Sequence, residues 1–139
     1  MDEWNDGKGI DIESWIATRG DFQKAIGYSV IFWPEFIEYD GCVLKRNFSK
    51  WSYDGFMKQC KGDKTRVEAV MNHFHIKDIH YFTDSNTREQ LIYLGNILKE
   101  IYRYKLKVQF PRKQFEVKFE NGYKEELLDY ELTFYQKRR

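Results

Sequence analysis

The stretch TREQLIYLGNILKEIYRYKLKVQFPRKQFEVKFE, residues 87–120, decides the fold, because the spacing of its apolar residues changes partway along. Leu91, Leu94, Leu98, Ile101, Tyr102 and Leu106 recur at threes and fours and keep one helix face apolar for about five turns. Thr87 with Gln90 offers a capping box at the start of that helix. Lys99, Arg103, Lys105 and Lys107 sit late in it, where the helix dipole favours cations, and Pro111 forbids continuation. Phe115, Val117 and Phe119 then alternate with Glu116, Lys118 and Glu120, the pattern of a half-buried strand.

Downstream, Leu128, Tyr130, Leu132 and Phe134 alternate with Asp129, Glu131 and Thr133, a second strand. Asn121-Gly122 lies between the two as a turn signal. A two-residue turn there would set Phe119 opposite Lys124 and Val117 opposite Glu126, burying charge beside aromatics. A longer loop, running through Glu126, is expected instead. Lys137, Arg138 and Arg139 read as a solvated tail.

Upstream, helices dominate. Residues 1–9 read as a flexible polar leader. Asp11 caps a short helix carrying Trp15 and Ile16, which Gly20 stops. Asp21 caps a second, with Phe22, Ala25, Ile26, Ser29, Val30 and Trp33 on one face, ended by Pro34. Glu35 to Arg46 is extended around Asp40-Gly41, either as a hairpin or as a loop leading into one strand. Asn47 or Ser49 caps a third helix bearing Trp51, Phe56 and Met57. Asp63 caps a fourth, where Val67, Val70, Met71 and Phe74 form a buried stripe. His75 to Phe82 fits a strand or a helix end. The expected class is α+β: a helix-rich N-terminal two-thirds, and a long central helix packed on a small antiparallel sheet closed by a C-terminal hairpin. One domain over residues 1–139 is expected.

Composition narrows the function. Eleven Phe, ten Tyr and four Trp in 139 residues give enough aromatic surface for a real core and exclude global disorder. The formal net charge of +1 gives no whole-molecule argument for nucleic acid or an anionic membrane. No run approaches the roughly 18 apolar residues of a spanning helix. Two cysteines and an acidic start without an apolar signal core read as a cytoplasmic protein. Charge is patchy: residues 99–113 hold six bases against Glu100, and residues 116–131 turn acidic. A patchy surface suits an oriented protein partner.

The chemistry-bearing residues are few. His73 and His75, two apart, point about 200° from each other on a helix and share an ion only if the helix ends between them. With His80 nearby and no CxxC pair, they read as helix-end histidines satisfying carbonyls, and no metal or cofactor is expected. Cys42 sits in an apolar strand, which raises rather than lowers a thiol pKa, and Cys60 faces a helix C-terminus. Glu35, Glu38 and Asp40 cluster near Pro34, and Asp129 and Glu131 are read on one side of a strand. These carboxylates are the candidate site residues, either for a basic partner or for a divalent ion with acid–base work. Residues 45–66 mix seven bases with Phe48, Trp51 and Tyr53, the ingredients of a single-strand groove, but the overall charge balance argues against nucleic acid. No phosphate-binding glycine loop or nucleophile elbow occurs.

Phe32-Trp33-Pro34-Glu35-Phe36, Asp40-Gly41-Cys42 and the run Leu127 to Tyr135 resemble a family of small, uncharacterised bacterial proteins. Val67 to Ile76 and Tyr93-Leu94-Gly95 fit the same likeness, which covers nearly the whole chain. That family has no established activity, so the resemblance implies no catalytic residue. Size, missing catalytic motifs and patchy charge are similar in type to immunity proteins of bacterial toxin systems. The implied function is non-catalytic: binding a cognate toxin domain and occluding its active site. The alternative is a small metal-dependent enzyme acting on nucleotides or nucleic acid through the carboxylate cluster.

Overall fold

The computed structural model of the chain describes residues 11–82 and 86–138; the leader at 1–9 and Arg139 lie outside the described residues. Two compact units make up the fold, Met1–Phe32 and Trp33–Arg139. In the first, α1 (Ile12–Arg19) starts where Asp11 accepts the Ser14 N–H at 2.7 Å and stops at Gly20. The second helix, α2 (Phe22–Phe32), starts where Asp21 accepts the Lys24 N–H at 2.8 Å. Neither helix buries a residue, and Phe22, Ile26 and Val30 on the apolar face of α2 are exposed. Two short helices hold too little apolar surface to bury one another.

The second unit is α+β. A tight hairpin joins β1 (Phe36–Tyr39) and β2 (Cys42–Lys45). Asp40 (φ 52°) and Gly41 (φ 80°) form its turn, both left-handed as a two-residue hairpin of this twist requires. Next come α3 (Lys50–Gln59), capped by Ser49, and α4 (Lys64–Met71), capped by Asp63. A short β3 (Phe74–His75) runs into a 3-10 turn at Ile76–His80. The long α5 (Arg88–Gln109) carries the Thr87/Gln90 capping box. It is followed by β4 (Phe115–Phe119), a 3-10 turn at Leu127–Asp129, and β5 (Glu131–Gln136). The antiparallel three-stranded sheet has the order β3-β5-β4, with Phe119 opposite Leu132. The connection between β4 and β5 is therefore long, and charge stays clear of the aromatic face.

The core has two parts. Phe36, Phe74, Tyr102 and Phe134 pack ring on ring, with centroids 4.9–6.3 Å apart, between α5 and the sheet. Cys42, Leu44, Tyr53, Cys60 and Val67 form the other, between the hairpin, α3 and α4. Here the stripe read for α3 is corrected. Trp51 is 85% exposed, and Tyr53 is buried in its place with Phe56 and Met57 packed beside it. Tyr53 fits the core because its hydroxyl donates to Asp40 at 2.7 Å, so burying it leaves no polar group unpaired. Leu128 is likewise exposed, because it sits in the 3-10 turn before β5 begins.

One helix joins the two sheets. Glu68 and Asn72, one turn apart at the end of α4, are both buried. Glu68 accepts from the Val43 N–H (2.7 Å), the Gln136 N–H (3.0 Å), the Gln136 side-chain amide (2.7 Å) and Arg138 (2.6 Å). Asn72 donates to the carbonyls of Val43 (2.9 Å) and Phe134 (3.3 Å) and accepts from the Lys45 N–H (3.3 Å). The unpaired edge of β2, and the part of β5 that runs past the two-residue β3, thus find their partners in two side chains. Arg138 is no solvated tail residue: it neutralises a carboxylate with no exposed surface.

Candidate functional site

The sequence-derived carboxylates occupy two separate places. Glu35, Glu38 and Asp40 lie on the β1–β2 hairpin, exposed but each beside a cation. Glu35 pairs with Arg46, Glu38 lies 3.7 Å from Lys113, and Asp40 lies 3.7 Å from Lys64. Asp40 is further fixed by the Tyr53 hydroxyl. Burial, then the bond to Asp40, holds the Tyr53 phenol above its usual range, so it stays a donor.

Asp129 and Glu131 do not share a strand face, which corrects the sequence reading. Asp129 ends the 3-10 turn, and only Glu131 enters β5. The alternation that placed them together runs through Leu128, which the turn takes out of the strand. Glu131 instead stands directly opposite His75 in the β3–β5 pair, with its carboxylate 3.8 Å from His75 Nδ1. The helical geometry that parted His73 from His75 also fails, because α4 ends at Met71 and both histidines follow it. Their rings lie 5.6 Å apart. Among the described residues, His73, His75 and Glu131 are the group of three possible metal ligands brought together, with one donor atom from each within 4.8 Å of the others. His73 Nδ1 lies 2.6 Å from the Val70 carbonyl, and His75 Nδ1 lies 2.5 Å from the Leu128 carbonyl.

The outer face of α5 was not read from the sequence. Tyr93, Ile97, Tyr104 and Val108 are exposed there, opposite the buried Leu91, Leu98, Tyr102 and Leu106. Their spacings of four, seven and four put them within about 60° of one another, a signal present in the sequence beside the stronger core stripe. Trp33 continues the strip, its ring 6.3 Å from that of Tyr104 and capped by Lys105 at 5.3 Å. A cleft of about 640 Å³ opens beside Tyr104, lined by Phe115 and by Arg103, Lys107, Lys113 and Lys137. It gathers three bases of the run between residues 99 and 113 with Lys137, which follows β5.

Two other candidates dissolve into the core. Burial pushes the Cys42 thiol up, as a small apolar filler requires, and both cysteines are buried. Of the aromatics at 45–66, Tyr53 is buried and Phe48 packs on the core, which leaves Trp51 alone to stack on a base. None of the described helices is long and apolar enough to cross a membrane. Comparison with protein-family models, with curated proteins and with solved structures finds no match.

Proposed function

We propose that the chain is a non-catalytic binding protein of the immunity type, which neutralises a cognate toxin domain by covering its active site. The exposed strip on α5 carries this reading. Tyr93, Ile97, Tyr104 and Val108 span about 22 Å of a rigid helix, at 1.5 Å per residue. Tyr and Trp are the side chains most often found at binding hot spots, and here Tyr93 and Tyr104 are held by a helix whose other face is core. A rim of both signs surrounds the strip. Arg103 and Lys107 lie on its own helix, and Glu38 is joined to it through Lys113 at the neighbouring cleft. Such a rim orients a partner that carries an apolar patch with charges of both signs around it. Glu35, Glu38 and Asp40 are spread along the hairpin from its base to its turn, and at the base Gln109 of α5 donates to the Phe36 carbonyl at 2.6 Å. They are the acids best placed to meet the basic part of a toxin cleft. A metal-dependent enzyme working through all five carboxylates has less support, because Asp129 and Glu131 lie on other elements than the hairpin three.

The test joins capture to rescue. A toxin domain captured by this chain should arrest growth when expressed alone, and co-expression of the chain should restore it. Tyr93→Ser with Tyr104→Ser should weaken binding tenfold or more with an unchanged melting temperature. No rescue would sink the function, and full affinity in the double variant would sink the face.

A further inference from the structure

We propose that His73, His75 and Glu131 form a binding site for one divalent first-row transition-metal ion of the Zn²⁺ class. The inference stands apart from the docking reading, since it rests on another part of the second unit.

The local chain explains why three such residues meet. Asn72 caps α4 and turns inward to bond both sheets, so the helix cannot run on. Beyond it the chain extends, and residues two apart in extended chain share a side. Phe74, between the histidines, packs against Tyr102 with centroids 6.0 Å apart and lies under Lys45 Nζ at 4.0 Å. Anchoring Phe74 inward sends its two neighbours to the opposite side. The register then brings Glu131 directly across from His75.

The hydrogen bonds select the form of imidazole that binds metal. A carbonyl oxygen only accepts, so the Nδ1 atoms beside Val70 and Leu128 both carry the proton. In the neutral ring the lone pair is then on Nε2. A histidine that donates one nitrogen to a carbonyl and keeps the other for the ion is the usual supporting arrangement of a metal ligand. The spacing is close to what an ion needs. With bonds of about 2.0–2.1 Å, tetrahedral ligands stand roughly 3.3 Å apart. One ring nitrogen of each histidine and one Glu131 oxygen already lie within 4.8 Å of one another, with Glu131 on the Nδ1 side of His75 at 3.8 Å, so bringing the carboxylate and His73 round to the Nε2 side takes rotation of side chains that are exposed, His73 and Glu131. Two imidazoles and one carboxylate suit Zn²⁺, Ni²⁺ or Cu²⁺ and not the oxygen-seeking Ca²⁺ or Mg²⁺. Three protein ligands leave a coordination position open to water or to a side chain from a partner.

Titration calorimetry of the whole chain with Zn²⁺, with Co²⁺ absorption as a second readout, tests the site. The expected result is one ion per chain, a tetrahedral Co²⁺ spectrum, and no heat with Mg²⁺ or Ca²⁺. His73→Ala and Glu131→Gln, both at exposed positions, should each weaken Zn²⁺ tenfold or more while circular dichroism stays unchanged. His80→Ala should bind as the native chain does. Absence of Zn²⁺ binding, or equal binding by His73→Ala and the native chain, would overturn the proposal.

Discussion

Lys45 carries its charge 4.0 Å above the Phe74 ring, and burial lowers its pKa from 10.5 to about 8. The ring returns part of what desolvation costs, and no acid completes the balance in a described ion pair of this lysine. Between pH 8 and 10.5 the unfolded chain holds a proton there that the folded chain has lost. Stability therefore rises with pH through that window. The Cys42 thiol, and Tyr53 and Tyr102, all held above their usual range mainly by burial, oppose the trend once the unfolded thiol ionises from about pH 8.5 and unfolded tyrosines near pH 10. Urea unfolding at pH 7 and pH 9.5 should show a gain of about 2 kcal/mol from this lysine. Lys45→Met should be more stable at pH 7 and show no such gain. A difference in stability between the native chain and Lys45→Met that stays the same from pH 7 to pH 9.5 would contradict the assignment.

At the scale of elements, α5 meets β4 through a missing side chain. A Cβ placed on Gly95 would overlap the ring of Phe119, which is itself buried beside Tyr130. Alanine favours a helix over glycine by about 1 kcal/mol, but overpacking here costs about 1–3 kcal/mol. Gly95→Ala should therefore lower stability in urea unfolding, and a variant as stable as the native chain would show that the ring moves freely. This glycine also marks the limit of what the sequence made legible. The starts of α1, α2, α4 and α5 were readable from Asp11, Asp21, Asp63 and Thr87, because a cap bonds within three residues of itself, and that of α3 was readable as Asn47 or Ser49, of which Ser49 is the cap. The alternation of β4 was readable for the same reason of locality. On α3 the inward places of Phe56 and Met57 were readable, but that of Trp51 was not, because Tyr53 takes it with a hydrogen bond to Asp40 on another element. The grouping of His73 and His75 with Glu131 was hidden too. It needs the end of α4 and the β3–β5 register, neither of which local pattern supplies.

The second unit depends as a whole on one carboxylate. Glu68 accepts four hydrogen bonds from β2, β5 and Arg138, and nothing in the apolar spacing of α4 pointed to it. Glu68→Gln removes the charge that Arg138 neutralises and turns an amide N–H₂ toward donors. A loss of roughly 3–5 kcal/mol in thermal or urea unfolding is expected. Arg138→Met should also destabilise, by less, since backbone N–H groups still face the carboxylate. If Glu68→Gln unfolds like the native chain, the junction is not what couples the two sheets.

The strand order β3-β5-β4 has a consequence for how the molecule comes into being. The middle strand is the last of the three to be synthesised, and the outer two have no ladder with each other. A growing chain that has reached α5 holds only its local pieces, the capped helices and the Asp40-Gly41 hairpin. Glu68 must wait for partners 68 and 70 residues downstream. The order of manufacture thus runs against the order of dependence, and the second unit closes around its latest-made strand.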